Sequence, residues 1–239
     1  MKIRHIIIGI IGSVAVFTGH AQTVDDIISK NIDALGGKDK INAVKTLYIE
    51  STVDVMGNQA PSTTYIVSGK GYKNMLDFNG QQIIQCLTDK GGWSLNPLMG
   101  QMKPEAIPAD QIKSAQSHLD IGGPLLDYAA KGNKVELVGK ENVNGAPANR
   151  IKVTTRDDVQ MTVFVDSASS YIVKLVTSMS MGGQQTETTI EFSNYKKTDF
   201  GFVYPYSQQL TLPQVTLNIT HSKVEVNKPI DPSIFDMPK

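Results

Sequence analysis

The sequence predicts an α+β fold: a large curved antiparallel β-sheet, a half-open barrel, with an N-terminal helix and a helical insertion covering its concave apolar face. Three observations carry this expectation. Segments rich in Val, Ile, Thr and Tyr alternate apolar with polar residues between Thr46 and Val226. Turn signals punctuate them roughly every ten residues, the spacing of an antiparallel meander. One amphipathic helical stretch precedes the strands, and a second interrupts them between residues 108 and 131. An open sheet of the ten or eleven strands counted this way has to curl.

Residues 1–21 read as a secretory signal peptide cleaved after Ala21. Lys2, Arg4 and His5 form a positive start, and Ile6 to Phe17 is apolar apart from Gly9, Gly12 and Ser13. Gly19 and Ala21 supply the small residues that a cleavage site needs before Gln22. The apolar run is shorter than the about 20 residues that cross a bilayer. With no Cys at the cleavage point, the expected product is periplasmic, free of a lipid anchor and not stably inserted in a membrane. Residues 22–239 are expected to form a single domain.

The chain carries 23 basic and 23 acidic residues, and loss of Lys2 and Arg4 with the leader brings the net charge to −2. So small a charge argues against nucleic acid as a partner. Cys86, the only cysteine, excludes an intramolecular disulfide. Its place in Ile83-Ile84-Gln85-Cys86-Leu87 fits a buried structural thiol.

The first helix follows the leader. Val24, Ile27, Ile28, Asn31, Ile32 and Leu35 share one face, Thr23 suits the N-cap, and Asp25 and Asp26 suit the positive end of the dipole. Gly36-Gly37 stops it, and a short turn from Lys38 to Val44 leads into the sheet. Strands run from Thr46 to about Asn96, with turns at Gly57-Asn58, Lys70-Gly71, Asn79-Gly80 and Gly91-Gly92. Pro97 to Pro108 reads as loop. A helix then carries Ile112, Ala115 and Leu119, Gly122-Gly123 stops it, and Pro124 opens a further helical turn. Strands return from Lys134, with Asn144-Gly145 and Gly182-Gly183 as hairpin turns. His221 keeps the apolar phase of Val215, Leu217 and Ile219, whereas Val224 and Val226 have switched, which places a β-bulge near Ser222-Lys223. Asn227 to Lys239, with three prolines, reads as an extended surface strap.

Candidate chemistry is sparse. His118 and His221 have no Cys or His at ligand spacing, so no metal is expected and no cofactor either. No Gly-x-Ser-x-Gly elbow and no phosphate loop is present, and no catalytic residue is assigned: the chain is not expected to be an enzyme. Adaptable apolar side chains do cluster where the first strands meet the insertion. Trp93, Leu95, Leu98, Met99 and Met102, with Met75 and Phe78, are the candidate lining of an apolar ligand cavity.

The order of several short motifs resembles the outer-membrane lipoprotein-sorting proteins, the LolA-like relatives of the periplasmic lipoprotein carrier of Gram-negative bacteria. These are Ile32-Asp33-Ala34-Leu35-Gly36-Gly37-Lys38, then Gly91-Gly92-Trp93-Ser94-Leu95-Asn96-Pro97-Leu98, then Asp120-Ile121-Gly122-Gly123-Pro124-Leu125. Val135-Glu136-Leu137-Val138-Gly139-Lys140-Glu141 and Pro229-Ile230-Asp231-Pro232-Ser233-Ile234-Phe235 continue the series. The resemblance implies a half-open barrel with a helical lid, and a carrier for lipidated proteins or acyl-bearing ligands, with an envelope protein as a further partner. Where the carrier has an Arg-Pro-Asn stretch, this chain has Lys70-Gly71-Tyr72-Lys73-Asn74, so no cargo carries over. Two other readings remain open: an accessory or scaffold module with a filled core, and a hydrolase with dispersed catalytic residues.

Overall fold

Alternation along the chain becomes one antiparallel sheet. The computed structural model describes residues 22–181 and 184–238, so the leader at 1–21 and the Gly182-Gly183 turn lie outside the described residues. Six strands come first: β1 (Thr46–Val55), β2 (Asn58–Val67), β3 (Gly71–Phe78), β4 (Gln81–Thr88), β5 (Gly91–Asn96) and β6 (Gln101–Ala106). Seven follow: β7 (Lys134–Val143), β8 (Ala146–Thr154), β9 (Gln160–Asp166), β10 (Ile172–Met181), β11 (Gln184–Lys197), β12 (Val203–Thr211) and β13 (Thr216–Val226). All thirteen join in the order β6-β5-β4-β3-β2-β1-β13-β12-β11-β10-β9-β8-β7. Each half is a meander, and the β1–β13 pair fuses them. β6 and β7 stay as free edges, so the curved sheet does not close.

Among the described residues three α-helices accompany it: α1 (Val24–Ala34), α2 (Lys38–Asn42) and α3 (Ala109–Ala115). A capping box fixes the start of α1: Asp26 N–H donates to Thr23 Oγ1 at 3.1 Å, and Thr23 N–H donates to Asp26 Oδ2 at 3.0 Å. At its end Gly36 has φ +116, and a Cβ there would lie 2.9 Å from the Gly201 carbonyl oxygen, so only glycine fits. That approach lets Val203 N–H donate to the Leu35 carbonyl at 3.0 Å, tying the helix to β12.

Both faces of the sheet carry apolar clusters. On the helix-bearing face, Ile27 and Ile28 of α1 and Leu125 pack on Ile151, Val153, Val163 and Val165. Beside them Ile41, Val44 and Leu126 pack on Leu47, Ile49 and Phe202. Ile112 of α3 approaches Gly92, and His118 stacks on Tyr72 with ring centres 4.8 Å apart. On the opposite face the C-terminal strap lays Ile230, Ile234 and Phe235 over Ile84, Cys86 and Trp93. Val143, Ala148 and Phe164 form a further cluster. No helix among the described residues is long and apolar enough to cross a membrane.

Candidate functional site

Strand alternation decides what reaches the middle of the helix-bearing face. Along β1, Leu47, Ile49, Ser51 and Val53 are the buried residues. Register then sets Ser51 opposite Ser62 on β2 and opposite His221 on β13, and sets Thr64 opposite Asn74 on β3. The pairing slips between Glu50–Lys223 and Ser51–His221, so Ser222 is the extra residue of the bulge that the phase change indicated. The bulge is what keeps Val224 and Val226 in the helix-side cluster while His221 shares their face.

The result is a polar band across β12, β13, β1, β2 and β3, set in an apolar surface. Ser51 Oγ lies 2.7 Å from His221 Nδ1, and Gln208 Nε2 lies 3.1 Å from His221 Nε2. Asn74 Nδ2 donates to Ser62 Oγ at 2.9 Å and to Thr64 Oγ1 at 2.8 Å. The Tyr204 ring stands 5.8 Å from that of His221. Burial holds the His221 imidazole down at about 4, and burial likewise pushes the Tyr204 phenol up to about 12. Both side chains are therefore neutral near pH 7.

A Ser–His contact is the first requirement of an activated nucleophile. Here the second ring nitrogen meets an amide and not a carboxylate, so nothing stabilises an imidazolium. A histidine held near 4 is also a weak base. The pair suits hydrogen bonding better than acyl transfer. Among the described residues no group of three His, Cys, Asp or Glu side chains is placed to hold a metal.

Beyond the band, Val55, Leu76, Ile83, Leu210, Leu217 and Ile219 continue the same face, half-buried and outside every buried cluster of the described residues. Together they make that stretch of the face apolar. A separate groove of about 490 Å³ between α1 and residues 125–130 mixes Ile28, Ile32, Leu125 and Tyr128 with the charged Asp25, Asp33, Lys38 and Asp127.

The structure does not bring the seven candidate lining residues together. Trp93, Leu95 and Met75 belong to the cluster beneath the strap, where Trp93 Nε1–H donates to the Phe235 carbonyl at 2.9 Å. Cys86 Sγ meets that carbonyl at 3.3 Å, and burial pushes its thiol up to about 11. Leu98, Met99 and Met102 stand 55%, 82% and 72% exposed at the β5–β6 hairpin tip. Phe78 sits on the helix-bearing face at the far end of β3, opposite Gln81. The polar band was not among the candidates. Its one sequence signal was His221 holding an apolar phase.

Neither a family model nor a curated protein matches the sequence. Solved structures do match the fold. A DUF1329 family protein from Desulfovibrio piger aligns with TM-score 0.59 at 14% identity, over 90% of this chain and 98% of that one. A LolA superfamily protein from Nitrosomonas europaea aligns with TM-score 0.58 at 11% identity, over 90% and 98%. An outer-membrane lipoprotein-sorting protein domain from Vibrio parahaemolyticus aligns with TM-score 0.55 at 14% identity, over 88% and 95%. The open thirteen-stranded sheet with its helices is thus the fold found in the LolA superfamily, DUF1329 and outer-membrane lipoprotein-sorting structures.

Proposed function

We propose that this chain is a periplasmic binding and carrier protein for lipidated or acyl-bearing ligands, serving the movement of lipoproteins towards the outer membrane without catalysis or a cofactor. The observation that carries the reading is the half-buried apolar stretch of the helix-bearing face made by Val55, Leu76, Ile83, Leu210, Leu217 and Ile219. Such a surface gains about 0.8 kcal/mol for each CH₂ it removes from water. The LolA superfamily protein and the lipoprotein-sorting domain with the same fold support it. Phe78 lies on the same face, and the helical insertion, through Ile112 over Gly92 and His118 on Tyr72, is the cover that would close over a bound chain. Export under the leader at 1–21 places the protein in the periplasm.

Denaturing extraction and mass spectrometry of the protein purified from its native compartment test the proposal. An acyl ligand near one per chain is the expected result. Repeated absence of any such ligand, with no hydrophobic dye bound and displaceable, overturns it.

An accessory-module reading draws on different residues. Met56, Leu98, Met99 and Met102 are exposed at hairpin tips, where an envelope partner could dock. If that is their role, their joint replacement by Ser abolishes capture by the partner while acyl binding is unchanged.

A further inference from the structure

We infer that the polar band across the middle of the helix-bearing face recognises the uncharged, hydrogen-bonding head of the ligand, an ester, amide or hydroxyl group, and selects it over an ionised head. The inference rests on the carrier reading and names the ligand class for it.

Buried polar side chains on an apolar sheet surface are unfavourable unless they are hydrogen-bonded. Ser51, Ser62 and His221 are buried at 7%, 6% and 8% exposure, and each has a partner in the band. Their mutual bonds leave capacity unused. With the Gln208 amide nitrogen donating to Nε2, the His221 proton sits on Nδ1 and is donated to Ser51 Oγ. The Ser51 hydroxyl proton is then free. Asn74 spends both contacts through Nδ2, so Ser62 and Thr64 accept and keep their own protons, and Asn74 Oδ1 has no partner among the described residues. Asn74 Oδ1 and Gln208 Oε1 are not among the sealed, unpartnered atoms, which are Asn96 Oδ1 and Asn149 Oδ1. The band therefore offers hydroxyl donors beside carbonyl acceptors, the complement of a group that both donates and accepts.

It offers no charge. His221 and Tyr204 are neutral, and every hydrogen bond of Ser51, Ser62, Thr64, Asn74, Gln208 and His221 described above joins neutral groups. A carboxylate or phosphate placed there would give up water without a cation to replace it. Apolar residues flank the band along β1 and β13, Leu47 and Ile49 on one side and Val53 and Ile219 on the other, and the polar neighbour on β4 is the uncharged Gln85, opposite Asn74.

The test is displacement of a hydrophobic fluorescent dye from the full-length mature protein by three probes of equal chain length: monolauroylglycerol, laurate and dodecane. Monolauroylglycerol is expected to displace at about tenfold lower concentration than the other two. In the Asn74→Leu/Gln208→Met variant the advantage of monolauroylglycerol over laurate and dodecane should vanish. Equal displacement by all three probes overturns this inference and leaves the carrier reading standing. So does an advantage that survives in the folded variant. Failure of dye and every probe to bind overturns the carrier reading, and this inference with it. Should the variant not fold, the ranking of the three heads on the unaltered protein decides.

Discussion

Gly71 is a residue whose absent side chain matters. A Cβ on it would lie 2.8 Å from the Phe235 ring, because the strap sets that ring flat on β3. Gly71→Ala is therefore expected to destabilise by about 1–3 kcal/mol through overpacking. Shortening the opposing ring with Phe235→Leu in the same chain should return part of the loss, a non-additivity that a double-mutant cycle under urea denaturation measures. Strict additivity would mean the strap is not seated there. His221 gives a second, pH-dependent expectation. Its folded value near 4 lies below the unfolded value of about 6.5, so the unfolded chain binds the proton more readily. The stability this group contributes is full above about 6.5 and is lost as pH falls towards 4, by up to about 3 kcal/mol. Unfolding of the wild type and of His221→Gln between pH 7.5 and 4 should diverge in that window, with the variant the flatter. Parallel curves would show that the imidazole is not held neutral by burial.

Elements show where local chemistry spoke clearly in the sequence and where it did not. Asn79-Gly80 and Asn144-Gly145 take φ values of 54 and 78, and 50 and 84, as a two-residue hairpin turn demands, and both were legible. The β1–β2 turn lies one residue earlier than Gly57-Asn58, at Met56-Gly57, with Met56 at φ 53. A methionine signals no turn and pays a steric penalty in that conformation, so Met56→Asn should raise stability by about 1 kcal/mol. In thermal unfolding that is a rise of about 2–4 °C for a chain of this size; a lowered midpoint would contradict the turn assignment. β6 was hidden for the opposite reason, since Pro97 and Pro104 read as loop. Proline cannot donate to a ladder and is best tolerated on an edge strand, and β6 is the edge of the sheet. The segment after Pro124 forms turns and no helix, although Leu125 and Leu126 are buried as apolar periodicity suggested. Periodicity reports which residues go inside, and a short stretch can achieve that without helical hydrogen bonds.

At the scale of the whole molecule, the sheet is built mostly from neighbours in sequence, and one pairing is not. β1 meets β13 across most of the chain, with Leu47 opposite Val226. This is why the site was the least legible part. Ser51 and His221 come within 2.7 Å only through that pairing, and no spacing pattern links them. Trp93, Leu95 and Met75 were grouped in the sequence as candidate cavity lining, and nothing in it marked the strap as the segment laid over them. The same topology orders stability. Central strands are paired on both sides and buried on the helix-bearing face, whereas β6 and β7 have one partner each. Opening free energies rise from such margins to the centre. Hydrogen exchange followed by mass spectrometry should therefore find Thr46–Val55 and Thr216–Val226 the slowest segments and Gln101–Ala106 among the fastest. Because β1–β13 is the strand pairing that joins the two meanders and the helix-side cluster spans both, its protection should also be lost together with that of both halves on adding denaturant. Separate loss of the β1–β6 half would show that the pairing is a seam between independent units and would remove the continuous face on which the polar band depends.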